Sequence, residues 1–120
     1  MKYKFAFFDG DNVGSTIEIL LLENKVLDAK NLSENINKAI NEIKQFLEDK
    51  GEVLIAGGDD ILVKLHDDDK FIEVLNSIGE IFFGKTGLTI SGGVGDDIKT
   101  AIYELSIAKL YGKNQIKFSK

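Results

Sequence analysis

The 120-residue chain has no cysteine and no proline, and it carries a single histidine. Without cysteine there are no disulfides, no thiol nucleophile and no thiolate-bound metal, which fits a reducing compartment. One histidine leaves no room for an imidazole-rich metal centre. No stretch reaches the ~18 apolar residues of a membrane span, and the start Met1-Lys2-Tyr3-Lys4 lacks the apolar core of a secretory leader. A cytoplasmic protein is expected. Basic residues are also short: 15 against 20 acids, a formal net charge of -5. An extended nucleic-acid groove draws its affinity from phosphate neutralisation by Lys and Arg, so this balance argues against one. Small anionic ligands neutralised by a bound cation remain compatible.

What the chain does have is a 43% hydrophobic content, enough to bury a core, at a length that suits one domain spanning residues 1–120. No linker and no internal repeat divides it. Its centre is Gly57-Gly58-Asp59-Asp60, set between two apolar runs of strand length, residues 52–55 and 61–65. That pattern predicts a hairpin, whose glycines admit positive φ and let another molecule approach the backbone. A second acidic stretch, Phe7-Phe8-Asp9-Gly10-Asp11, ends another apolar run, residues 3–8. Side by side, the two stretches bring Asp9, Asp59 and Asp60 together. Two like charges ~4 Å apart repel by about 4 kcal/mol at an effective dielectric of about 20. A fold tolerates that when one acid is protonated or a cation sits among them. Carboxylates alone favour a hard ion, magnesium or manganese, over zinc. A plain solvated turn is the simpler alternative for a Gly-Asp hairpin, and Asp9 at the end of a separate strand weighs against it.

The remaining elements follow from periodicity. A polar loop at 10–14 leads to a short helix over 15–23, then a polar, irregular stretch at 24–31. Ser33 is the expected N-cap of a helix whose Ile36, Ala39, Ile40, Ile43 and Leu47 recur at three and four. Gly51 stands where a left-handed helix cap is expected. After the hairpin, Asp67-Asp68-Asp69 precedes an amphipathic helix carrying Phe71, Val74, Leu75, Ile78 and Phe82. Acids at its positive end make this triplet a cap rather than a metal site, and His66 beside it a loop residue. Residues 87–95 predict a strand entering a glycine-rich turn. Gly92-Gly93-Val94-Gly95 would serve packing at least as well as phosphate contact, since it lacks dinucleotide or P-loop spacing. Asp96 or Asp97 caps a last helix bearing Ala101, Leu105, Ala108 and Tyr111. Gly112 ends it, and a closing strand covers 115–118. Lys109 and Lys113 lie four apart at that helix's end, where they compensate its dipole or meet phosphate.

The order β, α, α, β, β, α, β, α, β reduces, without the extra first helix and the last strand, to βαββαβ. This is the split-βαβ pattern of ferredoxin-like α+β folds. An antiparallel sheet with helices on one face is expected, with the first strand beside the hairpin.

The motif at residues 7–14, the Gly57–Asp60 turn and the segment from Ser91 to Asn114 together resemble the palm shared by GGDEF cyclases and the large subunit of type III CRISPR complexes. The run Tyr103-Glu104-Leu105-Ser106-Ile107-Ala108-Lys109-Leu110-Tyr111-Gly112-Lys113-Asn114 is similar to the closing GGDEF signature, an Ala-Lys pair followed by Gly-basic-Asn. A chain this short, holding a palm and nothing else, most resembles the minimal CRISPR polymerase family. The resemblance implies a cyclase that joins nucleoside triphosphates into a cyclic dinucleotide or short cyclic oligonucleotide signal in anti-phage defence. It implies Asp9, Asp59 and Asp60 as catalytic metal ligands, with the Gly10 carbonyl added. Two Mg2+ or Mn2+ ions would be held there. Lys109 and Lys113 would meet phosphates, and Asp11, Asn12, Gly57 and Gly58 would lie at the nucleotide. Two departures count: the third acidic position is Asp rather than Glu, and no Phe follows. Both move the match toward the CRISPR palm and toward ATP. A homodimer without nucleic-acid template is implied, its product read by a separately encoded effector. A template-directed polymerase is disfavoured, because an acidic chain of 120 residues has no room to grip a duplex. A catalytically idle palm, binding nucleotide or serving assembly, is the alternative, although all three acids are retained.

Overall fold

Alternation of side chains sets the middle of the sheet. In β1 (Tyr3–Gly10), Ala6 and Phe8 are fully buried on one face, while Phe7 and Asp9 point to the other. The computed structural model describes residues 2–119. Its further elements are α1 (Val13–Leu22), α2 (Val26–Leu47), β2 (Gly51–Gly57), β3 (Asp60–His66), α3 (Phe71–Thr86), β4 (Ile90–Gly95), α4 (Ile98–Leu110) and β5 (Ile116–Phe118). The sheet runs β2-β3-β1-β4-β5. Thus β1 sits at the centre, antiparallel to β3 and β4, and the βαββαβ arrangement of an α+β palm is present.

The core lies between the even-numbered face of β1 and helices α2 and α3. Ala6 and Phe8 pack with Ile36, Ala39, Ile43 and Leu47 of α2 and with Leu75, Ile78 and Phe82 of α3. β3 adds Ile61, Val63 and Leu65. Fully burying one such aliphatic or aromatic side chain stabilises by about 1.5–3 kcal/mol, so this layer holds the strand ends in place.

Two parts of the expected architecture change. β5 pairs with β4 in parallel, so the sheet is mixed. The helices occupy both faces rather than one, because α4 lies opposite α2 and α3. The reason is in β4. A Cβ on Gly92 would fall 2.6 Å from the Phe8 ring, and one on Gly93 would fall 2.1 Å from the Leu105 amide of α4. The glycine pair therefore serves close packing on two sides at once.

Local boundaries also differ. α1 begins at Val13, with the Asn12 carbonyl accepting from Thr16 N–H and from the Ser15 and Thr16 hydroxyls. The expected irregular stretch at 24–31 is mostly helix, and Ser33 lies inside α2, not at its cap. Its polar residues form the exposed face, while Ala29 is buried. Three residues, Glu23, Asn24 and Lys25, separate α1 from α2, with Asn24 at φ 60°. Gly51 is not a left-handed cap: it opens β2, where a Cβ would meet the Lys64 carbonyl at 2.2 Å. Of the Asp67–Asp69 triplet, Asp68 accepts from the Lys70 N–H, although Lys70 itself is the cap position. Asp97 is the N-cap of α4 and accepts from Thr100 N–H at 2.7 Å. His66 ends β3 and packs edge-on against Tyr3. No helix among the described residues is long and apolar enough to cross a membrane.

Candidate active site

Register brings the acids together. β1 and β3 pair so that Asp9 stands directly opposite Asp60, and side chains of such a pair share a face. The β2–β3 turn adds Asp59, whose carbonyl accepts from Gly10 N–H at 3.1 Å. Gly58 takes φ +57°, the left-handed conformation expected of a turn glycine. Oxygens of Asp9, Asp59 and Asp60 lie within 4.8 Å of one another, all three side chains half-buried.

Such crowding shifts proton affinity. Asp60 is pushed up to about 7, first by its hydrogen bond with Asp9, then by burial and by the charges of Asp9 and Asp59. Burial, and then the Asp9 charge, raise Asp59 as well. Three crowded carboxylates with few donors form an oxygen-only set that fits a hard divalent cation. The Gly10 carbonyl lies at the same strand end, and a Cβ on Gly10 would approach Asp59 Oδ2 at 3.1 Å.

Asp11, two residues along, has the opposite character. It is 2% exposed. Its carboxylate accepts from the Thr89 hydroxyl at 2.7 Å, the Ser91 hydroxyl at 2.7 Å, the Asn114 N–H at 2.9 Å and the Lys109 ammonium at 2.8 Å. Burial alone would raise its pKa. The hydrogen bonds from Lys109, Ser91, Thr89 and Asn114 outweigh burial and hold it below the ordinary carboxylate value. Asp11 was expected beside the nucleotide. In the structure it is the knot joining β1, β4 and the end of α4. Thr89 and Ser91, which complete the knot, carried no role in the sequence reading. The available signal was a hydroxyl, Ser91, inside a strand otherwise made of Gly, Val and Ile.

Lys109 bridges the two groups. Besides Asp11, its ammonium donates to the Asp9 and Gly10 carbonyls at 3.1 and 2.9 Å and lies 3.2 Å from Asp9 Oδ2. Lys113 donates to the Asn12 side-chain oxygen at 2.5 Å. Asn12, Lys113 and Asn114 all adopt positive φ; Lys113 is tied to Asn12, and Asn114 to Asp11, beside the acidic edge. Gly57 and Gly58 leave the turn open, since a Cβ on either would meet no atom within 4 Å. Of the residues singled out from sequence, Asp9, Gly10, Asp59, Asp60 and Lys109 therefore meet at one edge. Asn12 and Lys113 form an adjacent pair.

Comparison with solved structures places this fold among palms. A Csm1–Csm4 cassette in complex with cA4 superposes with a TM-score of 0.69 at 18% identity, covering 99% of this chain and 21% of that one. The chain thus spans about a fifth of the length of that relative. The active GGEEF domain of a diguanylate cyclase from Vibrio cholerae gives 0.64 at 14% identity, over 98% of this chain and 83% of the other. The diguanylate cyclase SiaD from Pseudomonas aeruginosa, bound to its activator SiaC, gives 0.71 at 18%, over 98% and 50%. No curated protein matches the sequence. The sequence profile of the minimal CRISPR polymerase domain, in contrast, matches residues 5–119. Nearly the whole palm, from β1 through β5, falls within that match, and the chain belongs to the minimal CRISPR polymerase (mCpol) family.

Proposed function

We infer that the chain is a metal-dependent nucleotide cyclase that converts nucleoside triphosphates, ATP foremost, into a cyclic dinucleotide or short cyclic oligoadenylate. The observation that carries this reading is the pairing of Asp9 with Asp60 across the central strands, with Asp59 beside them. These acids, with the Gly10 carbonyl, would hold two Mg2+ or Mn2+ ions. When bound, such ions lower the pKa of an attacking ribose hydroxyl and neutralise the leaving pyrophosphate. The protein's own part is positioning. The unobstructed Gly57-Gly58 backbone admits ribose and α-phosphate close to the turn. Lys109, already fixed by three oxygen acceptors, adds a positive charge at the edge. Lys113 adds a second once it exchanges Asn12 for a phosphate oxygen. The solved Csm1–Csm4 relatives were captured with one ATP and with pppApApA, which favours adenine nucleotides here.

One acidic edge serves one triphosphate, whereas closing a ring of two nucleotides takes two bond-forming steps. A twofold dimer in which each copy presents its nucleotide to the other supplies both. The product would be a diffusible signal in the cytoplasm, read by a separately encoded effector in anti-phage defence, with no nucleic-acid template. Incubation with ATP and Mg2+ or Mn2+, followed by mass spectrometry, tests the reading. Cyclic adenylates that vanish in Asp60→Asn support it. Absence of any nucleotide product from all four triphosphates with either ion overturns it.

A further inference from the structure

α1 and the first half of α2 form a helical hairpin that stands off the body of the molecule. The core residues that α2 supplies begin at Ile36, and its first ten residues bury Ala29 alone. At 1.5 Å per residue α2 is about 33 Å long, in a molecule 50 Å long but 29 and 20 Å across. The tip of this arm is apolar. Residues 21–28 are all exposed, and Ile19, Leu21, Leu22, Val26 and Leu27 are each more than half exposed. These five side chains offer on the order of 500 Å², the upper end of the largest apolar patch that monomers commonly show. Between residues 19 and 27 the charges are Glu23 and Lys25, 3.6 Å apart, so the tip is neutral on a chain of net charge -5.

A second apolar feature lies on the body, a groove of about 690 Å³ between α3 and the β4–β5 edge. Ile72, Leu75 and Phe83 form one wall, and Ile90, Ile116 and Phe118 the other. Its volume lies in the range that encloses a compact apolar body, with room for several aliphatic side chains. Thr89 and Asn114, which hold Asp11, also line it, so the groove opens at the same end of the sheet as the acids. α1 departs from that end too, directly after Asn12. A second copy that brings a nucleotide to the acidic edge therefore lies alongside the arm, with the open end of its groove turned toward it.

We propose that the α1–α2 tip is a dimerisation arm that seats in the α3–β5 groove of a second copy, each copy giving one arm and receiving one. This rests on the cyclase reading for its need of two copies, and it names the surface through which they meet. Two such seatings, each covering roughly 400 Å² of tip and as much of groove, reach the ~1,600 Å² of a standard interface. The neutral tip lets two acidic chains approach without repulsion at that point. A lipid surface is the poorer occupant. Residues 15–28 carry one lysine against three acids, whereas a helix lying on a membrane carries cations on its polar face.

Sedimentation of the full chain without nucleotide reads association apart from turnover. The arm variant carries Leu22→Lys with Leu27→Glu, and the groove variant carries Phe83→Lys. Each new charge suits its helix end, and all three positions are exposed, so dilute melting temperatures should match wild type. Each variant should weaken the dimer roughly thirtyfold or more, the effect of losing a central anchor. Mixing the two variants should restore part of the association, because one intact arm then meets one intact groove. Exchange of the α1 amides, rapid in the dilute chain, should slow as the wild-type dimer forms. A wild-type chain that is monomeric at millimolar concentration overturns the proposal. So does a groove variant that dimerises like wild type, or a mixture that regains nothing. A dimer that needs both surfaces but yields no nucleotide product keeps the arm and removes the cyclase reading.

Discussion

Asp9 and Asp11 are two residues apart on the same strand end, yet they live in opposite electrostatic worlds. Asp11 is sealed from solvent with four donors on its two oxygens. Asp9 faces two further carboxylates, and the crowding lifts Asp60 to about 7. A satisfied buried carboxylate specifies structure, because removing it strands its donors. A carboxylate cluster short of donors is a standing cost to the fold, which a bound cation would relieve. The contrast separates the residue that ties the strand ends together from the crowded acids proposed to hold the ions.

The largest effect should come from breaking the satisfied partner. Asp11→Ala leaves Lys109 and two hydroxyls without their acceptor and should cost about 3–5 kcal/mol, read by urea unfolding. A loss below about 1 kcal/mol, within the range of an exposed ion pair, would show that Asp11 is no knot.

Asp60→Asn should behave inversely. Activity should fall roughly a hundredfold or more, since a proposed ligand to the ions is lost, while the chelated protein should melt at higher temperature than wild type. The sign follows from the raised pKa. Asp60 ordinarily titrates near 3.8 and in the fold near 7, so the stability it contributes is present below pH 4 and lost as pH rises through 7. Chelated wild type should therefore be less stable at pH 8 than at pH 5. Asp60→Asn should flatten that dependence, and added Mg2+ should oppose it. Parallel pH profiles for the two proteins would remove the trio's repulsion from the account.

Lys109→Ala touches both sides of the comparison. It should cost about 1–3 kcal/mol, because the buried Asp11 loses its charged donor, and it should also lower turnover and raise KM for the triphosphate. Normal kinetics with reduced stability would confine Lys109 to the structural side. Lys113→Ala is expected to be the mildest. Its exposed partner Asn12 can turn to water, so stability should change by less than about 1 kcal/mol while KM rises severalfold.

Much of the trio was legible because local signals agreed: apolar runs set the strands, glycines set the turn, and register did the rest. Asp11 was not, since nothing in its own neighbourhood distinguishes it from Asp9. Its partners Thr89, Ser91, Lys109 and Asn114 lie about 80 to 100 residues away in sequence. The two-sided helix arrangement was hidden for a similar reason. Glycine at 93 reads as a turn until α4 is seen resting on it. The early start of α2 was masked by polarity, because a helix lying on its neighbours along a narrow stripe exposes a majority of its residues.

α1 buries none of its residues, and Ile19, Leu21 and Leu22 are 55%, 51% and 77% exposed. Its amides are therefore protected by little beyond the helix's own hydrogen bonds, and they should exchange with deuterium through local opening. The amides of β1, between β3 and β4 with Ala6 and Phe8 fully buried beneath them, can exchange only when the whole sheet comes apart. An exchange experiment should thus resolve two clocks in one small domain. α1 can fray and reform many times over while the strand that carries Asp9 never lets go.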